Sequence, residues 1–281
     1  MVPFGTRARL TKLSALAALT LVMTACASPG NAGETPSPTD DNSELGTIRV
    51  GALPSPAGDI LTFVQDNLAR DAHLDIEIVP YTDFDEPNIS LDEGATDAIL
   101  VQSAKFLDTF NQTADSDLVS TGPIYLPIGA FYSNMVENFG QLPDGSSIAV
   151  PSDPTNEGRA LKILAAASLI ATTEEPTSLA DITANPHGFS FIEIESENSP
   201  RAVLEYDAAF VTLTFALSAG LTPEQAILAE GPDSSYSTVL ATTPELEDDP
   251  RVEKLKELLL SDTTQQYANS TWPGLVLPAQ S

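Results

Sequence analysis

Among its 281 residues the chain has one cysteine, two histidines and one tryptophan. A single cysteine excludes an intramolecular disulfide framework and any cysteine-rich zinc or iron–sulfur site. Two histidines exclude a histidine-rich metal site, and no cofactor is expected. Basic residues are also scarce, with 12 Lys and Arg against 40 Asp and Glu, a formal charge of −28. That balance argues against a nucleic-acid partner, because a phosphate backbone would be repelled. No apolar run reaches the roughly 18–20 residues of a membrane-spanning helix. What is present is enough for a core: 42 % of residues are hydrophobic, too many for a disordered chain despite the charge. The length fits one large or two medium domains.

The cysteine has a place in a pattern. Arg7, Arg9 and Lys12 form a basic start, followed by an apolar stretch from Leu13 to Ala25. This is a secretory leader, too short for a stable span. It closes on Leu-Val-Met-Thr-Ala-Cys, with Thr24 and Ala25 directly before Cys26. The arrangement resembles a bacterial lipobox, with Met23 where Leu is commoner. It implies diacylglyceryl attachment to Cys26, cleavage before it and N-acylation of the new terminus. The alternative is an ordinary signal peptide cleaved elsewhere, with an incidental cysteine. The expected location is the outer side of the bacterial cell membrane, anchored through lipid on Cys26. Several acyl chains hold far more firmly than one, at ~0.8 kcal/mol per buried methylene. Loss of residues 1–25 removes three basic residues and no acidic one, leaving nine Lys and Arg and a charge of −31. Residues 26–46 read as the lipidated cysteine and a flexible tether, reaching about 25 Å on average. The folded part is expected to begin near Thr47.

From there, short β-type runs alternate with helical stretches. Thr47–Ala52, Leu74–Val79 and Ala98–Val101 read as strands; Ile60, Leu61, Val64 and Leu68 mark a helix over Asp59–Leu68. Phe106, Leu107 and Phe110 mark another helix. Ile124–Tyr132 is an extended run broken by Pro127. Asp144-Gly145 is a turn before a strand at Ser147–Val150. Leu161, Ile163, Leu164, Leu169 and Ile170 mark a further helix. Phe189–Ile194, Ala208–Val211 and Ser237–Thr242 read as strands of a second set, and Val252, Leu255, Leu258 and Leu259 as a final helical region. The alternation predicts an α/β fold with mostly parallel sheets. Two sets of units predict two lobes with a ligand cleft between them and two crossover segments. The expected division is lobe 1 over 47–124, lobe 2 over 125–241, and C-terminal helices over 242–281 returning to lobe 1.

The stretch with chemical content is Pro151–Leu164, PSDPTNEGRALKIL. Asp153 can cap a helix that starts at Pro154, the position where proline is favoured. Asn156 and Arg159, three apart, then share a face of its first turns. Free N–H groups at a helix start, with an arginine fork beside them, can receive a carboxylate. The competing reading is that Arg159 pairs with one of the 40 acidic side chains. The net charge favours a small zwitterionic or neutral ligand over an anion.

Three runs carry a resemblance: TDFDEPNISLDEGATDA (Thr82–Ala98), LPDGSSIAVPSDPTNEGRALKIL (Leu142–Leu164) and DAAFVTLTFALSAGL (Asp207–Leu221). Over about residues 47–275 the chain resembles the methionine-binding lipoproteins of ABC import systems, the NlpA/MetQ family. The resemblance implies a two-lobe periplasmic-binding-protein fold, type II-like, and delivery of ligand to an ABC permease in the membrane. Arg159 and Asn156 match the family's carboxylate-binding arginine and neighbouring Asn. Phe84 stands where the family usually has Tyr. In Leu100–Leu107 only Gln102 and Leu107 are kept; Ser103 replaces His and Phe106 replaces Tyr. Thr212 and Thr214 stand for the Asn residues of Asn-Thr-Asn-Tyr-Ala, and Thr238 for the Asn of Ser-Pro-Tyr-x-Asn. The departures cluster at ligand positions. Each buried hydrogen bond lost costs about 1–3 kcal/mol, so the ligand is expected to be of the methionine class or a diverged relative. On this reading Phe84 and Phe106 line an apolar pocket, and Thr212, Thr214 and Thr238 are polar contacts.

No nucleophile elbow, P-loop or dinucleotide glycine pattern occurs, and no catalytic activity is expected. Asp83, Asp85 and Glu86 fail the EF-hand spacing and read as a solvated loop. His73 and His187 read as surface residues, and Trp272 as an anchor for a terminal helix. The rival function is an interaction or sensor lipoprotein on the same scaffold that has lost the transport ligand.

Overall fold

The computed structural model describes residues 44–279. The leader over 1–25, Cys26 and the tether as far as residue 43 lie outside the described residues. The first described lobe starts with β1 (Gly46–Ala52), α1 (Asp59–Val64, flanked by wider helical turns), β2 (Leu74–Pro80), α2 (Glu86–Asp92), β3 (Ala98–Ser103), α3 (Ala104–Ala114) and β4 (Val119–Pro127). The chain then crosses to a second lobe with β5 (Ala130–Tyr132), β6 (Ser147–Pro151), α4 (Pro154–Ala166), β7 (Ala171–Thr172), β8 (Ile182–Ala184), β9 (Ser190–Ile194), α5 (Ser199–Glu205), β10 (Ala208–Val211), α6 (Leu213–Ser218) and β11 (Ala226–Ala229). It returns to the first with β12 (Thr238–Thr242), α7 (Pro250–Leu260), α8 (Asp262–Thr271) and β13 (Val276–Pro278).

The folded part begins slightly earlier than expected, since the Leu45 N–H donates to the His73 carbonyl at 2.9 Å. The first sheet has the order β13-β4-β12-β3-β1-β2, the second β11-β5-β10-β6-β9. Neither is mostly parallel. β2-β1-β3 and β10-β6-β9 are parallel groups, whereas β12, β4 and β13 pair antiparallel, as do β5 and β11. The reason is the crossing itself. In each sheet the strand arriving from the other lobe, β12 in one and β5 in the other, enters antiparallel beside the parallel group.

Ser237–Thr242 was therefore misplaced by sequence reasoning. β12 lies inside the first sheet between β3 and β4, and all five of its residues are buried. An apolar run shows that it is buried but not in which sheet. The long extended run also divides: β4 starts at Val119, and Ile128 and Gly129 separate it from β5. α4 stops at Ala166. Ser168 takes a left-handed φ of 61°, which puts Leu169 and Ile170 beyond the helix.

Three apolar clusters hold these layers. One, with Ile48, Val50, Ile60, Leu61, Val64, Leu255 and Trp272, lies in the first lobe; Phe63 stacks on Tyr267 at 4.1 Å beside it, and Trp272 packs edge-on to Tyr267. Another, with Phe131, Phe139, Ile148, Leu161 and Phe210, fills the second. The third joins them: Ile99, Val101 and Val239 meet Tyr132, Val211 and Phe215. A fully buried side chain of this size contributes about 1.5–3 kcal/mol, so the shared cluster holds the lobes together next to the crossings.

Candidate ligand-binding site

The site lies between the lobes, where the starts of α3, α4 and α6 meet the returning chain. α4 begins as its sequence dictates. Asp153 accepts from the Asn156 N–H at 2.8 Å, with Pro154 in the first turn. Its carboxylate also accepts from Asn156 Nδ2 at 3.1 and 3.2 Å and from Ser196 Oγ at 3.0 Å. Burial pushes the Asp153 carboxyl above its usual range, and these donors partly restore it. The Asn156 amide is thus turned towards its own cap, and its Oδ1 makes no hydrogen bond among the described residues.

One turn on, Arg159 is only 4 % exposed. Its Nε donates to Glu230 Oε1 at 3.0 Å and Oε2 at 3.2 Å; its Nη2 donates to the Pro127 carbonyl at 2.6 Å and to Glu230 Oε2. Glu230 and Gly129 exchange two further bonds, with Glu230 N–H to Gly129 O at 2.9 Å and Gly129 N–H to Oε2 at 3.2 Å. Arg159 therefore ties together both crossings, the one at Pro127–Gly129 and the one that starts at Glu230. A Cβ on Gly129 would sit 2.7 Å from the Phe210 ring, so the close approach needs glycine there. The expected open arginine fork is revised: a guanidinium this deeply buried needs a counter-charge, and Glu230 supplies it. Nη1 alone makes no hydrogen bond among the described residues. The guanidinium carbon also lies 4.9 Å from the Tyr236 ring centre, within cation–π range.

From the first lobe, Gln102 and Asn88 form a reciprocal amide pair at 2.6 and 3.1 Å. Asn88 also donates to the Phe84 carbonyl at 2.8 Å, so Gln102 positions the segment that carries Phe84. Ser103 caps α3 by accepting from the Phe106 N–H at 3.4 Å. Phe84 packs against Phe106 at 5.6 Å and, across the lobes, against Phe215 at 5.1 Å. Asp83 accepts from the N–H groups of Asp85 and Glu86 at 2.9 and 2.8 Å. It thus accepts from the first N–H of α2, and among the described residues no cluster of three or more Asp, Glu, His or Cys could hold a metal ion.

Arg159, Asn156, Phe84, Gln102, Ser103, Phe106, Thr212, Thr214 and Thr238 all line one cavity. No carboxylate lines it. Thr212 Oγ1 is buried at the cavity wall without a hydrogen-bond partner among the described residues. Beside Thr238, the Tyr125 hydroxyl is fully buried, which pushes its pKa well above the ordinary range, with Thr238 acting in the opposite direction. Sequence reasoning missed Tyr236, Leu213, Val101 and Pro127 in the wall, and Glu230 behind it. Tyr236 lies two residues before Thr238, at the Tyr of the Ser-Pro-Tyr-x-Asn motif, and could have been found there. Glu230 carried no signal among so many acids.

Two α/β lobes joined by two crossings, with a polar-and-aromatic cavity between them, define the class of two-lobe periplasmic solute-binding proteins. Residues 48–280 match the model of the NlpA lipoprotein family, and the chain belongs to that family. The D-methionine-binding lipoprotein MetQ of Salmonella typhi is 32 % identical over 83 % of this chain and 89 % of its own length. Among solved structures, an ABC transporter periplasmic substrate-binding protein from Coxiella burnetii matches with TM-score 0.79 and 30 % identity over 83 % of this chain and 100 % of that one. A nutrient-binding protein from Burkholderia cenocepacia bound to methionine matches with TM-score 0.79 and 28 % identity, at the same coverages.

Proposed function

We propose that this chain is an extracytoplasmic solute-binding lipoprotein of an ABC importer, held to the membrane through lipid on Cys26. It captures a small amino-acid-like ligand, of the methionine class or a diverged relative, and has no catalytic activity of its own. The observation that carries this reading is the convergence of all nine expected contact residues on one cavity at the Arg159 helix. In this reading Arg159 Nη1 and the first turns of α3 and α4 take the ligand's carboxylate, and Thr212 and Thr214 take polar groups nearby. Phe84, Phe106 and Tyr236 enclose an apolar side chain. The closed lobes then present the ligand to a membrane permease.

The named relatives support methionine, but the Thr212, Thr214 and Ser103 replacements favour a shifted ligand. Calorimetry with L-methionine, followed by thermal shift with other amino acids and short peptides, tests both. Submicromolar binding of methionine overturns the shifted ligand. A ligand at 100 times its dissociation constant adds ~2.7 kcal/mol, readily visible in melting. The pairing of Arg159 with Glu230 favours one second reading, an interaction lipoprotein whose binding groups are satisfied internally. No shift with any small solute supports that alternative.

A further inference from the structure

On the exposed mouth of the cleft, beside Tyr236 of the returning crossing, an ion pair joins the lobes. Lys105 on α3 of the first lobe donates to Glu175 of the second at 2.8 Å. Lys162 on α4 donates to the same Glu175 oxygen at 2.6 Å. Among the described residues Lys105–Glu175 is the one ion pair that runs from the first lobe to the second. Beside it, Thr109 and Thr155 share an interlobe hydrogen bond of 3.2 Å. The Lys105 ammonium also lies 5.6 Å from the ring centre of Tyr236, on the cavity wall.

The acceptor is held in place. A Cβ on Gly158 would fall 2.0 Å from the Pro176 carbonyl, so the segment carrying Glu175 rests directly on α4. Asp181 accepts from the N–H groups of Thr177 and Ser178 at 2.9 and 3.1 Å and fixes its far side. The two lysines hold the Glu175 carboxyl down at about 2, so it is charged throughout the working pH range.

We propose that Lys105 sets the balance between closed and open lobes, and so the affinity of the site, by bridging to Glu175 and the cavity-wall Tyr236 only when the cleft is closed. Lys162 makes this latch easy to release. When the lobes part, Glu175 keeps Lys162 and Lys105 passes into water, so no charge is stranded. The two lysines thus have opposite effects. Lys105 stabilises the closed form alone. Lys162 neutralises Glu175 in both forms, is its sole cationic partner in the open one, and competes with Lys105 in the closed one. The pair is solvent-facing, with side chains 42 % and 65 % exposed. It therefore shifts the open–closed equilibrium by a factor of about two to five, the range of surface ion pairs.

The inference rests on the cleft being the ligand site, but its test needs no ligand. Spin labels at Asp108→Cys on α3 and Ala166→Cys on α4, in the full chain with Cys26→Ser, report lobe separation by pulsed dipolar spectroscopy. Lys105→Gln and Glu175→Gln should each move the distribution towards longer distances. Lys162→Gln should stay as closed as the parent or close further. Salt at about 0.5 M, where screening is strong, should move the parent towards Lys105→Gln and leave that variant in place. Equal distributions for parent and Lys105→Gln, or opening of both lysine variants alike, overturn the proposal. The second outcome would mean that the cluster merely supports the Glu175 segment. Failure of every amino acid to bind would count against the proposed function and leave the distance result standing.

Discussion

Two arginine- or lysine-to-glutamate pairs flank the cavity, and their environments are opposite. At the crossings, the Arg159 and Glu230 side chains are 5 % and 7 % exposed, and both Glu230 carboxylate oxygens accept hydrogen bonds. At the mouth, Lys105 and Glu175 stand in water. The same chemistry therefore does different work. A buried pair is costly to break, because the survivor is left charged in a poor solvent. A surface pair is weak, screened by salt and readily exchanged. The buried one fixes how the two crossings meet; the exposed one can yield whenever the cleft opens. A third glutamate completes the contrast. Glu157 on α4 is buried, and among the described residues it pairs with no cation and its Oε1 has no hydrogen-bond partner. Burial, with Glu193, Asp153 and Asp181 nearby, pushes its carboxyl up to about 7.

The largest effect should follow from breaking the buried pair. Glu230→Ala strands the Arg159 cation and is expected to lower stability by about 3–5 kcal/mol, read as a shift in urea midpoint. A wild-type midpoint would show that Arg159 finds water instead. Next comes Gly158→Ala, which drives a methyl group into the Pro176 carbonyl and displaces the segment carrying Glu175 without touching its charges. A loss of about 1–3 kcal/mol is expected, together with wider lobe spacing; unchanged spacing would uncouple that segment from the mouth pair.

Glu157 predicts a pH dependence with a definite sign. Its folded pKa lies above the unfolded value, so the native state binds more protons between about 4.5 and 7. Stability should therefore fall as pH rises through that window. Glu157→Gln should flatten this slope and stabilise the protein at pH 8 relative to the parent. Parallel pH–stability curves for the two proteins would contradict the assignment. The smallest effect belongs to the mouth: Glu175→Gln should leave the global denaturation midpoint unchanged while altering lobe separation. A large midpoint shift there would erase the contrast between the two pairs.

The legible parts of the molecule were those decided by neighbours in sequence. Asp153-Pro154 marks a helix start because the cap and the proline act within one turn. Ile60, Leu61 and Val64 mark a buried face because helical spacing brings them together. The candidate site was legible through the resemblance, since Phe84, Asn156, Thr212 and Thr238 lie far apart along the chain and share no local signal. β12 was assigned to the wrong sheet because its burial says nothing about which lobe buries it. Glu230 was invisible for a related reason: choosing Arg159's partner among many acids requires knowing which segment crosses beside Pro127.

By itself, the sequence determined that a basic-apolar leader precedes a lone cysteine, that strands and helices alternate, and that an arginine stands at a capped helix start. Those are properties of composition and of contacts within a few residues. Only the tertiary structure decided that both sheets are mixed, that Arg159 is already satisfied by Glu230, and that two lysines from different lobes share Glu175. Each of these depends on segments separated by tens of residues meeting in space. In so acidic a chain, charge bookkeeping sets the average field, but geometry alone determines which few carboxylates meet the nine cations left after the leader.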